Sequence, residues 1–243
     1  MANLLWKTLA RVTAAFGLLA GSNAHAQGTM PMMLTPQAAS APMISPDNSG
    51  TIAQTTGVTS ITQSFTVGSG SNRALIVEVY SSANSSAGFS GVTYAGSSMT
   101  VLGTIYQMGT LHPLTLLYLA APASGANNLV LSGLDVSFNY QAAIVSYAGA
   151  TQTTPANIVS DNTTFTTSLT LTLTTASNNS WLVGAFVNIS ADPLTAGTNT
   201  SIIQQSFGFG LTDTNAAMTP TGSYGLTVTG DNAIFGIAIE LAP

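Results

Sequence analysis

Regular alternation of apolar and hydroxylated side chains is the feature of this sequence that most limits its fold. Leucine and threonine alternate along 168–175, and the same period of two recurs along 61–67 and 223–229. Successive side chains of a β-strand point to opposite faces of a sheet. Each stretch therefore predicts a strand with one buried face and one solvated face.

Other segments are apolar at consecutive positions, which favours strands buried on both faces. These segments are 74–80, 114–120, 142–147, 181–189 and 233–241. Turn sequences rich in Gly, Ser and Asn separate them, and no segment after the N-terminal region shows a helical apolar face. The pattern predicts an all-β fold, a two-sheet antiparallel sandwich of the jelly-roll type, over residues 51–243.

Internal repetition is weak in this sequence. A repeat protein requires a motif that recurs at a fixed period. The echo that we find is Val-Thr-Tyr-Ala-Gly at 92–96 against Val-Ser-Tyr-Ala-Gly at 145–149. One match of this length does not predict a repeat, so we expect residues 51–243 to form a single domain.

The N-terminal region has the three parts of an export signal. Lys7 and Arg11 precede a short apolar run at 12–21. The small-residue cleavage site Ala-His-Ala follows at 24–26. A membrane anchor is the alternative, but a spanning helix needs about 20 apolar residues. We expect a signal peptide over 1–26, cleavage before Gln27, and a secreted, extracellular or periplasmic protein without membrane insertion.

Residues 27–50 predict a disordered linker. Four prolines and four methionines occur there without a period of two or 3.6. Prolines at this density oppose both helices and sheet hydrogen bonds. Methionine thioethers can bind Cu(I), but the spacing is irregular and no cysteine lies nearby, so a copper site is the less favoured alternative.

Few charged side chains remain after the signal is removed. The chain has three Lys and Arg residues and eight Asp and Glu residues, and Arg73 is the only Lys or Arg beyond the signal. Binding to nucleic acid or to an anionic membrane requires several basic side chains. We therefore expect neither partner. Because cysteine is absent, the fold is expected to depend on its core rather than on disulfides.

Six motifs in a fixed order extend over most of 51–243. They lie at 68–77 (Gly-Ser-Gly-Ser-Asn-Arg-Ala-Leu-Ile-Val), 92–96, 117–125 (Leu-Tyr-Leu-Ala-Ala-Pro-Ala-Ser-Gly), 145–155, 179–184 and 234–242. Together they resemble an uncharacterised domain of bacterial exoproteins and phage virion proteins. The resemblance implies a jelly-roll-like sandwich and carries no established activity. Relatives often have a C-terminal sorting tail, so a chain that stops at its last strand implies free release or periplasmic residence.

Catalytic chemistry has few candidate residues. A Ser-His-Asp triad would depend on His112, which lies in a predicted loop, and the sequence has no G-x-S-x-G motif. Beyond the predicted signal peptide a zinc site lacks ligands, because His112 is the only histidine there and the chain has no cysteine. A glycosidase needs two carboxylates, and Glu78, set inside an apolar strand, is a candidate for one. Burial without a partner would raise its pKa; a solvated strand position or a pair with Arg73 is the alternative.

Binding candidates come from aromatic and charged side chains near turns. Phe89, Phe207 and Phe209 lie in Gly-rich loops, where a ring can stack on a sugar or close an end of the sandwich. Arg73 is expected to tie loop carbonyls or a carboxylate, with ligand contact as the alternative. Asp213 and Asn215 are candidates for a structural Ca²⁺, although turn residues of this type also bond their own backbone.

Three functions remain open from the sequence. A non-catalytic binding or adhesion module, with an extracellular glycan or cell-surface polymer as partner, is favoured. A structural exoprotein or virion-like component that assembles through strand edges is the alternative. A carboxylate-dependent carbohydrate-active enzyme is less favoured, because acid-base catalysis depends on ionisable groups that are scarce here.

Overall fold

A computed structural model describes residues 43–83, 88–109, 111–162 and 166–243. Within these ranges the chain forms 17 β-strands and no α-helix, so none of the described residues belongs to a helix that could cross a membrane. The predicted signal peptide and residues 27–42 of the predicted linker lie outside the described residues. The all-β class predicted from the alternation is confirmed.

The strands divide between two halves of the chain. The first half holds β1 (Ser45–Thr55), β2 (Ser60–Val67), β3 (Ala74–Ser81), β4 (Gly91–Tyr94), β5 (Ser97–Ser98), β6 (Thr100–Tyr106), β7 (Pro113–Ala120), β8 (Gly125–Ser132) and β9 (Tyr140–Ala148). The second half holds β10 (Ile158–Asp161), β11 (Ser168–Thr174), β12 (Trp181–Asn188), β13 (Thr195–Ala196), β14 (Ser201–Ser206), β15 (Phe209–Asp213), β16 (Ser223–Thr229) and β17 (Ile234–Leu241).

Each half contributes one inner and one outer antiparallel sheet. The first inner sheet has the strand order β1-β9-β3-β7-β6, and the first outer sheet β2-β8-β4-β5. The second inner sheet has the order β10-β17-β12-β15-β14, and the second outer sheet β11-β16-β13. The sandwich expected from the sequence is therefore present, with four sheets rather than two.

The two halves share one topology. In the first, β1 pairs with β9, β2 with β8 and β3 with β7. In the second, β10 pairs with β17, β11 with β16 and β12 with β15 in the same nested order. First-with-last pairing folded into two facing sheets is the jelly-roll arrangement. The described chain is two jelly rolls in tandem, and the described residues belong to one compact unit.

The two inner sheets pack on each other with two-fold symmetry. β1 contacts β14 and β10 contacts β6; β3 contacts β15 and β12 contacts β7; β9 contacts β14 and β17 contacts β6. These three pairs of contacts recur when the halves are exchanged, as at a symmetric dimer interface, although β9 also contacts β15 without an equivalent contact of similar extent between β17 and β7. The molecule is thus organised like a homodimer whose two subunits are joined in one chain.

Three apolar cores separate the four sheets. The interface core lies between the two inner sheets. The first-half core lies between the first inner and first outer sheets, and the second-half core lies between the second inner and second outer sheets. On β12, Val183 and Ala185 belong to the interface core, while Leu182 and Phe186 belong to the second-half core. An inner strand must therefore be apolar on both faces, whereas an outer strand needs only one apolar face.

The N-terminal boundary of the folded region lies earlier than the sequence indicated. β1 begins at Ser45, so its first six residues fall within the predicted linker 27–50. Pro46 is tolerated because β1 is an edge strand and its register with β9 shifts between Pro46 and Asn48. The predicted sandwich boundary at residue 51 cuts through this strand.

Candidate ligand-binding groove

An open groove of about 410 Å³ lies on the first jelly roll. It forms where the chain passes from the first outer sheet to the first inner sheet, between β5 and β6. β5 pairs with β4 in the first outer sheet, and, one residue later, β6 pairs with β7 in the first inner sheet. The groove is lined from both sheets, by residues of β4, β5, β6, β7 and β8 and by the loop before β4.

Hydroxyl groups and apolar side chains share the lining of this groove. The hydroxyl groups belong to Ser90, Thr93, Ser98, Thr104, Thr115 and Ser132, and the apolar side chains to Phe89, Val92, Met99, Val101 and Leu117. Among the described residues, no charged side chain lines it. A groove of this composition suits an uncharged ligand that has both hydroxyl groups and an apolar face.

Hydrogen bonds within the groove fix several of its side chains. The Oγ1 atoms of Thr104 and Thr115 lie 3.0 Å apart across β6 and β7. Ser132 donates from Oγ to the carbonyl of Gly91 at 3.3 Å. The buried part of the lining consists of Thr115 with the apolar side chains of Val92, Met99 and Leu117, whereas Val101 is 53% exposed.

The structure separates the three candidate phenylalanines. Phe89 is half-buried, packs against the first-half core and lines the groove. Phe207 is 61% exposed in the turn between β14 and β15, away from the groove. Phe209 is completely buried in the interface core, so its ring is closed to a ligand. Of the three, only Phe89 joins other groove-lining side chains.

Glu78 lies in the interface core rather than in the groove. Its side chain is completely buried, and neither carboxyl oxygen has a hydrogen-bond partner among the described residues. Across the sheet its neighbours are Leu116 on β7 and Ala143 on β9. Burial raises the pKa of Glu78 well above its usual value, as a carboxyl without a partner requires. The solvated position that was the alternative for this residue does not occur.

Arg73 ties two loops to the start of β3. Its Nε donates to the carbonyl of Pro122 at 2.9 Å, and Nη1 donates to the carbonyl of Gly70 at 2.8 Å. The sequence allowed either loop carbonyls or a carboxylate as partners, and the described contacts are with loop carbonyls. The pair with Glu78 that was the alternative is not present in the described structure.

The calcium candidates form a local turn. Asp213 accepts a hydrogen bond from the Tyr147 hydroxyl at 3.0 Å and one from the backbone N–H of Asn215 at 2.8 Å. Burial raises the pKa of Asp213, and these two hydrogen bonds oppose that rise. Among the described residues, no three His, Asp or Glu side chains gather in a way that could hold a metal.

Sequence reasoning missed most of the groove. Ser90, Ser98, Thr104 and Thr115 have no distinctive local motif, because serine and threonine occur throughout the chain. They come together only when β5 and β6 are assigned to different sheets. The sequence offered Phe89 alone as a signal for this surface.

Comparisons with family models, with curated proteins and with solved structures give no match.

Proposed function

We propose that this protein is an exported, non-catalytic binding module that holds an uncharged glycan in the groove of its first jelly roll. The observation that carries the proposal is the lining of the groove, in which six hydroxyl side chains and Phe89 occur without a charged side chain among the described residues. The predicted signal peptide and the resemblance to exoprotein domains support an extracellular or periplasmic setting.

The chemistry of a sugar matches this surface. A pyranose ring has an apolar C–H face that stacks on an aromatic ring, and hydroxyl groups around its rim that exchange hydrogen bonds with serine and threonine. A volume of about 410 Å³ lies within the usual size of a small-molecule site. Phe89 is the proposed stacking residue, and Thr93, Ser98 and Thr104 are the proposed hydrogen-bonding residues.

Binding suits the groove better than hydrolysis. Hydrolysis of a glycosidic bond normally requires two carboxyl groups on either side of that bond. None of the groove-lining residues is acidic, and Glu78 lies in the interface core. These positions support a role in holding a glycan intact.

The test is a glycan array probed with the full chain, with and without Ca²⁺. We expect signals on neutral glycans that do not depend on Ca²⁺. Phe89→Ala should weaken binding by roughly tenfold, the loss of one central aromatic contact. Phe207→Ala is the matched control, because it removes an exposed ring outside the groove, and it should leave binding unchanged.

Two outcomes would contradict the proposal. One is the absence of any neutral-glycan signal, and the other is binding that Phe207→Ala abolishes while Phe89→Ala retains it. Release of reducing sugar that disappears in Glu78→Gln would instead favour the enzyme.

Assembly with other chains is the second candidate function, and the composition of the second outer sheet is the observation that favours it. All outward positions of β11 and β16 are Ser, Thr or Gly, and β11 is an edge strand without proline, charge or bulge. The Thr166 hydroxyl bonds the Ser168 backbone and Asn157 donates to the Thr174 carbonyl, so the middle of β11 is the part of this edge that another chain could pair with. Concentration-dependent oligomers in sedimentation, without a glycan signal, would support assembly over binding.

A further inference from the structure

Glu78 occupies an unusual position between the two halves of the molecule. It lies in β3, the central strand of the first inner sheet, on the same face as Ile76 of the interface core. Its exposure is 0%, and both carboxyl oxygens are without hydrogen bonds among the described residues. A carboxylate in this setting has lost its water and gained no replacement.

Among the described residues, no Lys or Arg lies close enough to compensate a charge at this position. Arg73 is the only Lys or Arg after residue 11. It precedes Glu78 by five residues along an extended strand, which separates their backbones by roughly 16 Å. The Arg73 guanidinium is also held by the carbonyls of Pro122 and Gly70.

The ionisable groups on the strands around Glu78 are phenols and one carboxyl. Its own strand carries Tyr80, and the strands packed on β3 carry Tyr118 on β7, Tyr140 and Tyr147 on β9, and Asp213 on β15. These groups have other partners: the Tyr118 hydroxyl donates to the carbonyl of Thr151, the Tyr140 hydroxyl to that of Gly88, and the Tyr147 hydroxyl to Asp213. The Tyr80 hydroxyl lies 3.4 Å from Oε1 of Gln107 and 3.4 Å from Nδ1 of His112, and both partners belong to the loop before β7.

We propose that Glu78 makes the packing of the two inner sheets sensitive to pH, tight while this carboxyl is protonated and loosened when it ionises. The neutral acid is compatible with the interface core, since it carries no net charge. The carboxylate can regain water only if the inner sheets separate around it, because its neighbours on β7 and β9 are Leu116 and Ala143.

The sign of the effect follows from the same burial. The pKa of Glu78 is raised in the folded state by loss of solvation. The unfolded chain therefore ionises first as the pH rises, and the folded state loses stability above the unfolded pKa of about 4.3. This direction is opposite to that of carboxylates that are paired or hydrogen-bonded in the folded state, which stabilise a fold when ionised.

Trp181 reports on the interface directly. It belongs to the interface core and is 6% exposed, and it packs edge-on against Tyr147 with ring centroids 6.0 Å apart. The sequence holds two tryptophans, Trp6 and Trp181. In the full chain with Trp6→Phe, tryptophan emission therefore arises from this interface alone.

The experiment follows Trp181 emission and amide exchange of β3 and β15 between about pH 4 and pH 9, below the range in which tyrosine ionises. We expect emission to shift to the red as the pH rises, and exchange of these strands, corrected for its intrinsic pH dependence, to quicken by at least about tenfold. Glu78→Gln should abolish both changes. Glu240→Gln, which alters the other buried glutamate outside the interface core, should retain both.

Should Glu78→Gln fold poorly, Glu78→Leu and the titration of the unaltered chain provide the same test. A flat titration of the unaltered chain would overturn the proposal, as would a pH response that persists in Glu78→Leu. Interface stability that rises with Na⁺, K⁺ or Ca²⁺ at fixed pH in a Glu78-dependent way would also overturn it, since Glu78 would then be an ionised cation ligand.

Discussion

Arg73 shows how a single charged side chain can stabilise loops at the residue scale. Its two hydrogen bonds to the carbonyls of Pro122 and Gly70 connect segments that are 49 and three residues away. Hydrogen bonds that involve a charged group contribute about 1.5–3 kcal/mol. We expect Arg73→Ala to lower the melting temperature and leave ligand binding unchanged, as measured by calorimetry and on the glycan array.

Arg73→Lys is the matched variant for this prediction. Lysine keeps the charge but lacks the planar group that reaches both carbonyls, so it should restore part of the lost stability. Unchanged stability together with lost binding would contradict the structural role of Arg73.

Glu240 has the opposite pH dependence to Glu78. Burial alone would raise the pKa of Glu240, but hydrogen bonds from Ser180, from Asn157 and from the backbone N–H groups of Ala176 and Ser177 outweigh it and lower the pKa. The ionised form is thus favoured by folding, and its stabilisation is lost as the pH falls through the folded pKa.

Glu240→Gln places an amide N–H₂ against these donors. We expect the free energy of unfolding to fall by about 1–3 kcal/mol at neutral pH, the cost of unsatisfied buried donors. Urea unfolding should show a smaller difference from the unaltered chain in acid than at neutral pH, because the Glu240 carboxyl becomes neutral as the pH falls through its lowered folded pKa. An equal difference at both pH values would contradict this account.

Individual site residues were only partly predictable. For Arg73 the sequence left loop carbonyls and a carboxylate open as partners, because a cation at the start of a strand has backbone oxygens nearby and can also meet an acidic side chain. The exposure of Phe207 and the burial of Phe209 were not predictable. The two residues flank one glycine, and the sequence does not indicate which side of the β14–β15 hairpin each one faces. That orientation is set by tertiary packing.

At the scale of single elements, the alternation along β11 predicts which of its side chains are buried and which are exposed. Leu171 is 2% exposed in the second-half core, while Thr172 is exposed on the outer face. We expect Leu171→Ala to lower the free energy of unfolding by about 2–5 kcal/mol. Thr172→Ala should change it by less than about 0.5 kcal/mol. Chemical denaturation of both variants makes the comparison, and equal effects would exclude a one-sided strand.

The sequence pattern also sorted strands between layers. The alternating segments became β2, β11 and β16 of the outer sheets, and the doubly apolar segments became β3, β7, β9, β12 and β17 of the inner sheets. The pattern identified no segment for the other strands, and β5 and β13, with two residues each, are too short to show a period. The Asn-rich start of β8 also lacks alternation, since it lies at an exposed end of its strand.

The tandem repetition of the jelly roll is a property of the whole molecule that the sequence did not indicate. β3 reads Ala-Leu-Ile-Val-Glu-Val and its counterpart β12 reads Trp-Leu-Val-Gly-Ala-Phe, so the shared requirement is apolarity and not identity. The echo between 92–96 and 145–149 joins β4 with β9, which are not equivalent strands of the two halves. It therefore has no connection with the duplication.

Cooperative unfolding of both halves is the expectation at this scale. Each inner sheet would expose its interface face if the other half unfolded, because the interface core contains residues from both. We expect a single transition in which Trp181 fluorescence and far-ultraviolet circular dichroism coincide. Two separate transitions would show that the halves are independent domains.

The central claim is that one groove, in the first half alone, holds an uncharged glycan. Calorimetric titration of the strongest neutral array ligand into the full chain tests it most directly. We predict one ligand per chain and an affinity that is nearly unchanged between low and high salt, because no charged side chain lines the groove among the described residues. Two ligands per chain, or an affinity that falls steeply with salt, would contradict the claim.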